Sequence, residues 1–218
     1  VINSLKGLIA AAHDLDIQIE EIQHGLMSRY HLGYSFPYND KIPYFPDRMC
    51  LFGEYWKDIT PLPLKGDSFD YYKNSIRKYE PLPVKEIKNN KTVFISQPNI
   101  GQHMLKFLKG LLQCKESEDL DIIVKLHPTE YDVWRNIYPE LIKMSEYSNV
   151  TVIDNFDMSL YEILRSSDTV IGVASTALFE ALYFGCDVFL MDVPGAEWVK
   201  PLINEKLART VNRPESFL

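Results

Sequence analysis

From about residue 91 onward, short apolar runs alternate with longer stretches in which apolar residues recur every three or four positions. The runs "TVFIS" at 92–96, "DIIVKL" at 121–126, "VTVI" at 150–153, "DTVIGV" at 168–173 and "DVFLM" at 187–191 predict strands. The intervening patterns predict helices over 101–114, 130–146, 158–166, 175–184 and 195–206. Strands that alternate with helices build a parallel sheet, and runs such as "DIIVKL" lack the period-two pattern of a sheet with one wet face. The fold class read from this pattern is α/β, a Rossmann-like parallel sheet with helices on both faces.

The first part of the chain reads differently. A helical segment near 4–13 leads to a strand "IQIEEIQ" at 17–23. An aromatic, proline-bearing loop "YHLGYSFPYNDKIPYFP" follows, and then a second strand "DRMCLFG" at 47–53. These elements predict the end of another α/β layer. Pro61, Pro63, Pro81 and Pro83 then bracket a polar stretch with a short predicted helix, the composition of a linker. The expected organisation is therefore residues 1–60 as the end of an N-terminal Rossmann-like domain, 61–90 as a linker, and 91–218 as a C-terminal Rossmann-like domain.

Composition narrows the class. At 218 residues and 46% hydrophobic, the chain can bury one large core or two modest ones. Its apolar runs fall short of the roughly 18 residues that a membrane span needs. Cys50, Cys114 and Cys186 are widely spaced in or beside apolar runs, which predicts buried, reduced thiols and a cytoplasmic setting. A net charge of −7, without any long Lys/Arg cluster, argues against nucleic acid as a partner. An anionic ligand would have to be held by local dipoles.

In an open parallel sheet, ligands bind at the carboxyl ends of the strands, so the loops that follow the strands are the places to search. The stretch "DTVIGVASTALFEALYFG" (168–185) sets Ser175 and Thr176 where a strand gives way to a helix. Unpaired N–H groups, the positive end of the helix dipole and two hydroxyls meet there, as a phosphate site requires. The same residues also suit a plain N-cap. Glu180, about one turn deeper, could accept the hydroxyls of a ribose or be an ordinary helix residue. His127, held before Pro128 in extended geometry, would aim out of its strand end towards the same crevice, or serve a structural bond. In the first loop, Ser96 and Gln97 are further candidates for contact with a ligand. His24 ends the strand of the first layer beside Gly25. If two such layers face each other, an imidazole with an ordinary pKa near ~6.5 could take a proton from a hydroxyl nucleophile there, unless it only bonds loop backbone.

Other signals carry less. The Asp-Leu-Asp triplets at 14–16 and 119–121 precede their strands and so sit at the end opposite to ligand sites, which makes metal binding improbable. There is no Gly-x-Gly-x-x-Gly, no Walker loop and no Gly-x-Ser-x-Gly elbow. The tyrosine-rich loop from Tyr30 to Phe45 could stack a sugar or pack between domains.

Taken together, "IEEIQHGL", "FISQP", "IIVKLHPTE" and "VIGVASTALFEALYFG" resemble bacterial GT-B-type glycosyltransferases of surface (capsular) polysaccharide synthesis. The nearest groups are the sialyl- and polysialyltransferase-like families and the CDP-glycerol glycerophosphotransferases. The resemblance implies that His127-Pro128 and Ser175-Thr176 contact the nucleotide of an activated donor. Related non-hydrolysing UDP-sugar epimerases place a glutamate five residues after the phosphate-binding serine, and Glu180 has that spacing. Gln23-His24-Gly25 departs from the acidic pair of sialyltransferase-like members and is similar to the Gln-His-Gly of glycerophosphotransferase-like proteins, which favours His24 as the base. The resemblance further implies the C-terminal half of a GT-B fold with a remnant of the first domain, hence a shortened chain.

The function expected on these grounds is transfer of a sugar, or a related polyol phosphate, from a nucleotide-activated donor to a hydroxyl of an oligosaccharide or polyol acceptor. His24 would be catalytic, and His127, Ser175, Thr176, Glu180, Ser96 and Gln97 would hold the donor. No metal and no cofactor beyond the donor substrate is implied. The expected setting is the cytoplasm, with peripheral association of a full-length enzyme at the inner face of the membrane. Two rivals remain: a UDP-sugar 2-epimerase-like enzyme, and a nucleotide-binding module without turnover.

Overall fold

The computed structural model describes residues 5–36, 42–72 and 89–217, and the chain divides into two units, Val1–Tyr79 and Glu80–Leu218.

In the first unit, helix α1 (Lys6–Asp14) leads to β1 (Glu20–Ile22), followed by β2 (Arg48–Leu51), α2 (Glu54–Ile59) and β3 (Phe69–Tyr71). The three strands form a parallel sheet in the order β1-β2-β3. Met27, Tyr34, Phe45, Met49, Leu51 and Trp56 are buried in this unit. The short β3 lies within the segment expected as linker: Phe69 pairs with Met49 and Tyr71 with Leu51, so at least this part of 61–90 belongs to the first sheet. The helix expected inside the linker falls outside the described residues.

The second unit is a six-stranded, wholly parallel sheet. Its strands are β4 (Lys91–Ile95), β5 (Asp121–Lys125), β6 (Val150–Ile153), β7 (Thr169–Gly172), β8 (Asp187–Met191) and β9 (Ala208–Val211), in the order β6-β5-β4-β7-β8-β9. Numbered from its own first strand, this order is 3-2-1-4-5-6, that of the doubly wound dinucleotide-binding folds, and it reverses direction between β4 and β7. The apolar runs are the central strands: Val93, Phe94, Ile122, Val124, Val170 and Ile171 are all but inaccessible. The outermost β6 and β9 keep exposed Thr151, Arg209 and Thr210, as edge strands should. The sequence pattern does not predict β9, which is short and half polar.

Helix α3 (Gly101–Leu111) buries Met104, Leu105, Phe107, Leu108 and Leu111, the i, i+3, i+4 stripe of an amphipathic helix, against Phe94, Ile122 and Val124. Helix α6 (Leu160–Ser166) packs with α7 (Thr176–Tyr183). The single helix expected over 130–146 is two short ones, α4 (Trp134–Ile137) and α5 (Pro139–Met144). The break is at Tyr138, whose φ −129°, ψ 60° is set by the following Pro139; the proline ring disfavours helical geometry in the residue before it. The last predicted helix is likewise a 3-10 turn, Ala196–Val199, continued by α8 (Lys200–Asn204).

The chain closes α7 with Gly185 at φ 70°, a left-handed position that glycine takes without strain. The expectation of buried cysteines holds for Cys186, whereas Cys50 and Cys114 are half-buried; all three are free thiols. Among the described residues, no helix is long and apolar enough to cross a membrane.

Candidate functional site

The segments that follow the strands leave the carboxyl edge of the second sheet, and the crevice of a doubly wound fold opens where the strand order reverses. Here β4 stands at that point, flanked by β5 and β7. His127 follows β5, Ser96 and Gln97 follow β4, and Ser175 and Thr176 follow β7, so all five belong to one edge of the sheet. β5 and β7 are two strand spacings apart, about 10 Å. A phosphate group between them would lie within reach of side chains from both.

Local bonding fixes the His127 ring. Its backbone N–H donates to Glu130 Oε2 at 2.7 Å, while its Nδ1 accepts from the Thr129 N–H at 3.3 Å and lies 2.7 Å from the Thr129 hydroxyl. These bonds form a capping box around the turn Pro128–Glu130. Since Nδ1 is the acceptor, the proton of the neutral ring sits on Nε2. His127 is exposed, so it offers a donor N–H to a ligand.

Beneath it lies a residue that sequence reasoning missed. Glu130 is 1% exposed, and its carboxylate also accepts from Ser96 Oγ at 3.1 Å and from Tyr138 Oη at 2.6 Å. Burial, together with the bond to Glu130, holds the Tyr138 phenol well above its ordinary pKa. One buried acid thus ties the ends of β4 and β5 to the break between α4 and α5. Tyr138 reaches it by crossing Gly101, where a Cβ would collide with the phenol. The available signal was the Glu three residues after His127, the spacing of a capping box.

Ser96 is 2% exposed and its hydroxyl donates to Glu130, which ties the end of β4 to that acid. Gln97 is half-buried, and its amide donates to the Ala174 carbonyl at 2.6 Å, spanning the switch point from the β4 loop to the β7 loop. Its Oε1 is buried without a hydrogen-bond partner.

Ser175 is the N-cap of α7, its Oγ accepting from the Ala177 N–H at 3.3 Å. That bond uses a lone pair and leaves the hydroxyl proton to donate outward, so capping and anion binding are compatible. Thr176, the first helical residue, is half-buried beside it. Glu180 accepts from Tyr161 Oη at 3.3 Å. Burial raises the pKa of its carboxyl, and the Tyr161 bond opposes part of the shift. Tyr161 stands in the first turn of α6, at the carboxyl edge of the sheet, and went unmarked in the sequence because an aromatic there reads as packing.

A cavity of about 510 Å³ lies at the ends of β8 and β9, lined among others by His103, Lys106, Asp192, Asn212 and Glu215. None of the six expected donor-binding residues lines it.

His24 belongs to the first unit, one residue beyond Gln23, which follows β1. Gln23 is buried; its Oε1 accepts from the Phe52 N–H and its Nε2 donates to the Gly25 carbonyl, both at 2.9 Å, which fixes the turn carrying His24. The His24 Nδ1 lies 3.3 Å from the Tyr34 hydroxyl, and its side chain is 58% exposed.

No protein-family model matches the chain, and no curated protein matches it in sequence. Solved structures match it in fold. The UDP-GlcNAc 2-epimerase of Methanocaldococcus jannaschii, in complex with UDP-GlcNAc and UDP, aligns over 99% of this chain and 64% of its own with 11% identity and a TM-score of 0.59. KpsC of Thermosulfurimonas dismutans, a beta Kdo 2,4 transferase, aligns over 61% of this chain and 39% of its own, with 17% identity and a TM-score of 0.34. TarM aligns over 96% and 47% respectively, with 13% identity and a TM-score of 0.47. The chain therefore spans less than two thirds of each of these proteins. The likeness to the epimerase is one of fold, and it sets the chain among Rossmann-like proteins of the GT-B type.

Proposed function

We propose that the chain belongs to a metal-independent glycosyltransferase of surface polysaccharide synthesis that binds a nucleotide-activated sugar, or a related polyol donor, at the carboxyl edge of the second sheet. The observation that carries this reading is the switch point itself: β4 stands between the strands that deliver His127 and Ser175. His127 Nε2–H, the Ser175 hydroxyl and Thr176 would bind the donor phosphate, with Gln97 holding the two loops together and Glu180 accepting ribose hydroxyls. The fold neighbour with the highest of the quoted TM-scores was solved with UDP-GlcNAc and UDP, which supports a nucleotide-sugar ligand.

In the reaction, an acceptor hydroxyl oxygen attacks the anomeric carbon while its proton passes to His24. The bond from that carbon to the phosphate oxygen breaks, and the nucleotide leaves with the bonding electrons. Donors at His127, Ser175 and Thr176 would neutralise the charge that develops on the leaving phosphate. The base would be worth roughly a hundredfold to ten-thousandfold in rate.

Calorimetric titration with CMP, CDP, UDP and GDP tests the reading. One of them should bind and should weaken on Ser175→Ala with Thr176→Ala; failure of all four to bind would sink it. The Ser175-to-Glu180 spacing and the epimerase fold also favour a second reading, elimination and re-addition on a UDP-sugar. Incubation with UDP-GlcNAc alone separates the two, since only an epimerase makes an isomeric product without an acceptor.

A further inference from the structure

In the first unit, three side chains stand in a row. The Tyr34 hydroxyl donates to Glu21 Oε1 in a very short bond, and the same hydroxyl oxygen lies 3.3 Å from His24 Nδ1. Tyr34 is 2% exposed, its ring edge-on to Phe45 at 6.4 Å and tilted against His31 at 4.5 Å. Burial, then the Glu21 bond, keeps its phenol protonated far beyond neutral pH.

The bonding order follows from what each group can do. An ionised carboxylate only accepts, so the phenol proton is committed to Glu21. The phenol oxygen can then act towards His24 only as an acceptor, and a neutral imidazole that donates through Nδ1 carries its lone pair on Nε2. His24 is thus the mirror of His127, whose Nδ1 accepts and whose Nε2 donates. His31, the other imidazole against Tyr34, accepts at Nδ1 from the Gly33 N–H at 3.1 Å and is kept neutral by burial.

We propose that Glu21 and Tyr34 are positioning residues that hold His24 in the Nδ1–H tautomer, presenting Nε2 as the proton acceptor for a hydroxyl of the acceptor substrate. The proposal rests on the reading of His24 as the base, and its test separates the two. The proton of the acceptor hydroxyl goes to Nε2, giving an imidazolium whose Nδ1–H bond to Tyr34 persists.

Nitrogen-15 and carbon-13 shifts of labelled histidine in the 218-residue chain, near pH 8, report the tautomer directly, with His24→Ala assigning the signal and His31 serving as an internal Nε2–H control. The wild type should show His24 as Nδ1–H. Tyr34→Phe, which keeps the buried ring, should convert it to the Nε2–H form favoured by unconstrained imidazole. Glu21→Ala, which removes the acceptor of the phenol proton and frees it to donate to Nδ1, should do the same. A wild-type His24 in the Nε2–H form, or one unmoved by both variants, overturns the proposal. With donor and acceptor supplied, the variants should lower kcat about tenfold or more while donor KM holds. If the tautomer converts and kcat does not change, the positioning role stands and the assignment of His24 as base falls.

Discussion

Gln97 donates to the carbonyl of Ala174 at 2.6 Å, joining the loop after β4 to the loop after β7 where the strand order reverses. The bond closes the floor of the crevice with a side chain from one wall and backbone from the other. Gln97→Ala should cost about 1 kcal/mol of stability, the typical net worth of one hydrogen bond. On the proposed function it should weaken nucleotide binding as well, because the loops after β4 and β7 lose their tie. Urea unfolding and calorimetric titration of the same variant check both, and unchanged affinity would reduce Gln97 to a structural residue.

Glu130 has three donors and almost no water around it. Glu130→Ala leaves Ser96, Tyr138 and the His127 N–H without their acceptor, and each buried group so stranded costs about 1–3 kcal/mol. The variant should lose at least about 3 kcal/mol by urea denaturation. Glu130→Gln, which can still accept at one oxygen, should lose less. Equal stability of the alanine variant and the wild type would mean that the network is not formed in solution.

Ser175→Ala removes the cap of α7 and should cost about 1 kcal/mol of stability. A phosphate-binding role adds a second loss, visible only with ligand: nucleotide affinity should fall further when Thr176→Ala is added, by a few kcal/mol at most. A capping residue alone would lower stability and leave affinity untouched.

Gly101 lies under the Tyr138 phenol, so Gly101→Ala should push that ring off its path to Glu130. Overpacking of this kind costs about 1–3 kcal/mol. The fluorescence and accessibility of Tyr138 should change with it.

Glu180 sets a pH dependence with a definite sign. Its folded carboxyl lies above its ordinary value of 4.5 because burial penalises the charged form. Between the ordinary and the raised value, the folded state binds more protons than the unfolded, so stability falls as pH rises through that window. The contribution is fully present below the ordinary value and lost above the raised one. Glu180→Gln should therefore become more stable relative to wild type as pH rises across the window, and parallel curves for the two proteins would contradict it.

Much of the second unit was legible from one-dimensional pattern. β4, β5, β7 and β8 are apolar runs because both their faces are covered, and the helices at α3 and α6 follow from their apolar period; the structure adds a capping box of Ser159 and Glu162 on α6. The misses have different causes. Pro139 divides the helix expected over 130–146 through a local effect that periodicity overlooks, while β3 and β9 are short strands that exist only because a neighbour offers a ladder. The bond of Ser96 to Glu130 was not legible because its partner lies 34 residues away.

The sequence by itself determined that β4 to β8 are strands, that they run parallel, and that His127, Ser175 and Thr176 stand where a strand gives way to the next turn or helix, since apolar period, proline and capping chemistry act over a few residues. Strand order, the contact that sets the lone pair of His24, and the burial of the acid behind the edge were decided only by tertiary structure. Those properties depend on which distant groups meet out of water, where a carboxylate such as Glu130 or Glu21 dictates the direction of every hydrogen bond made to it.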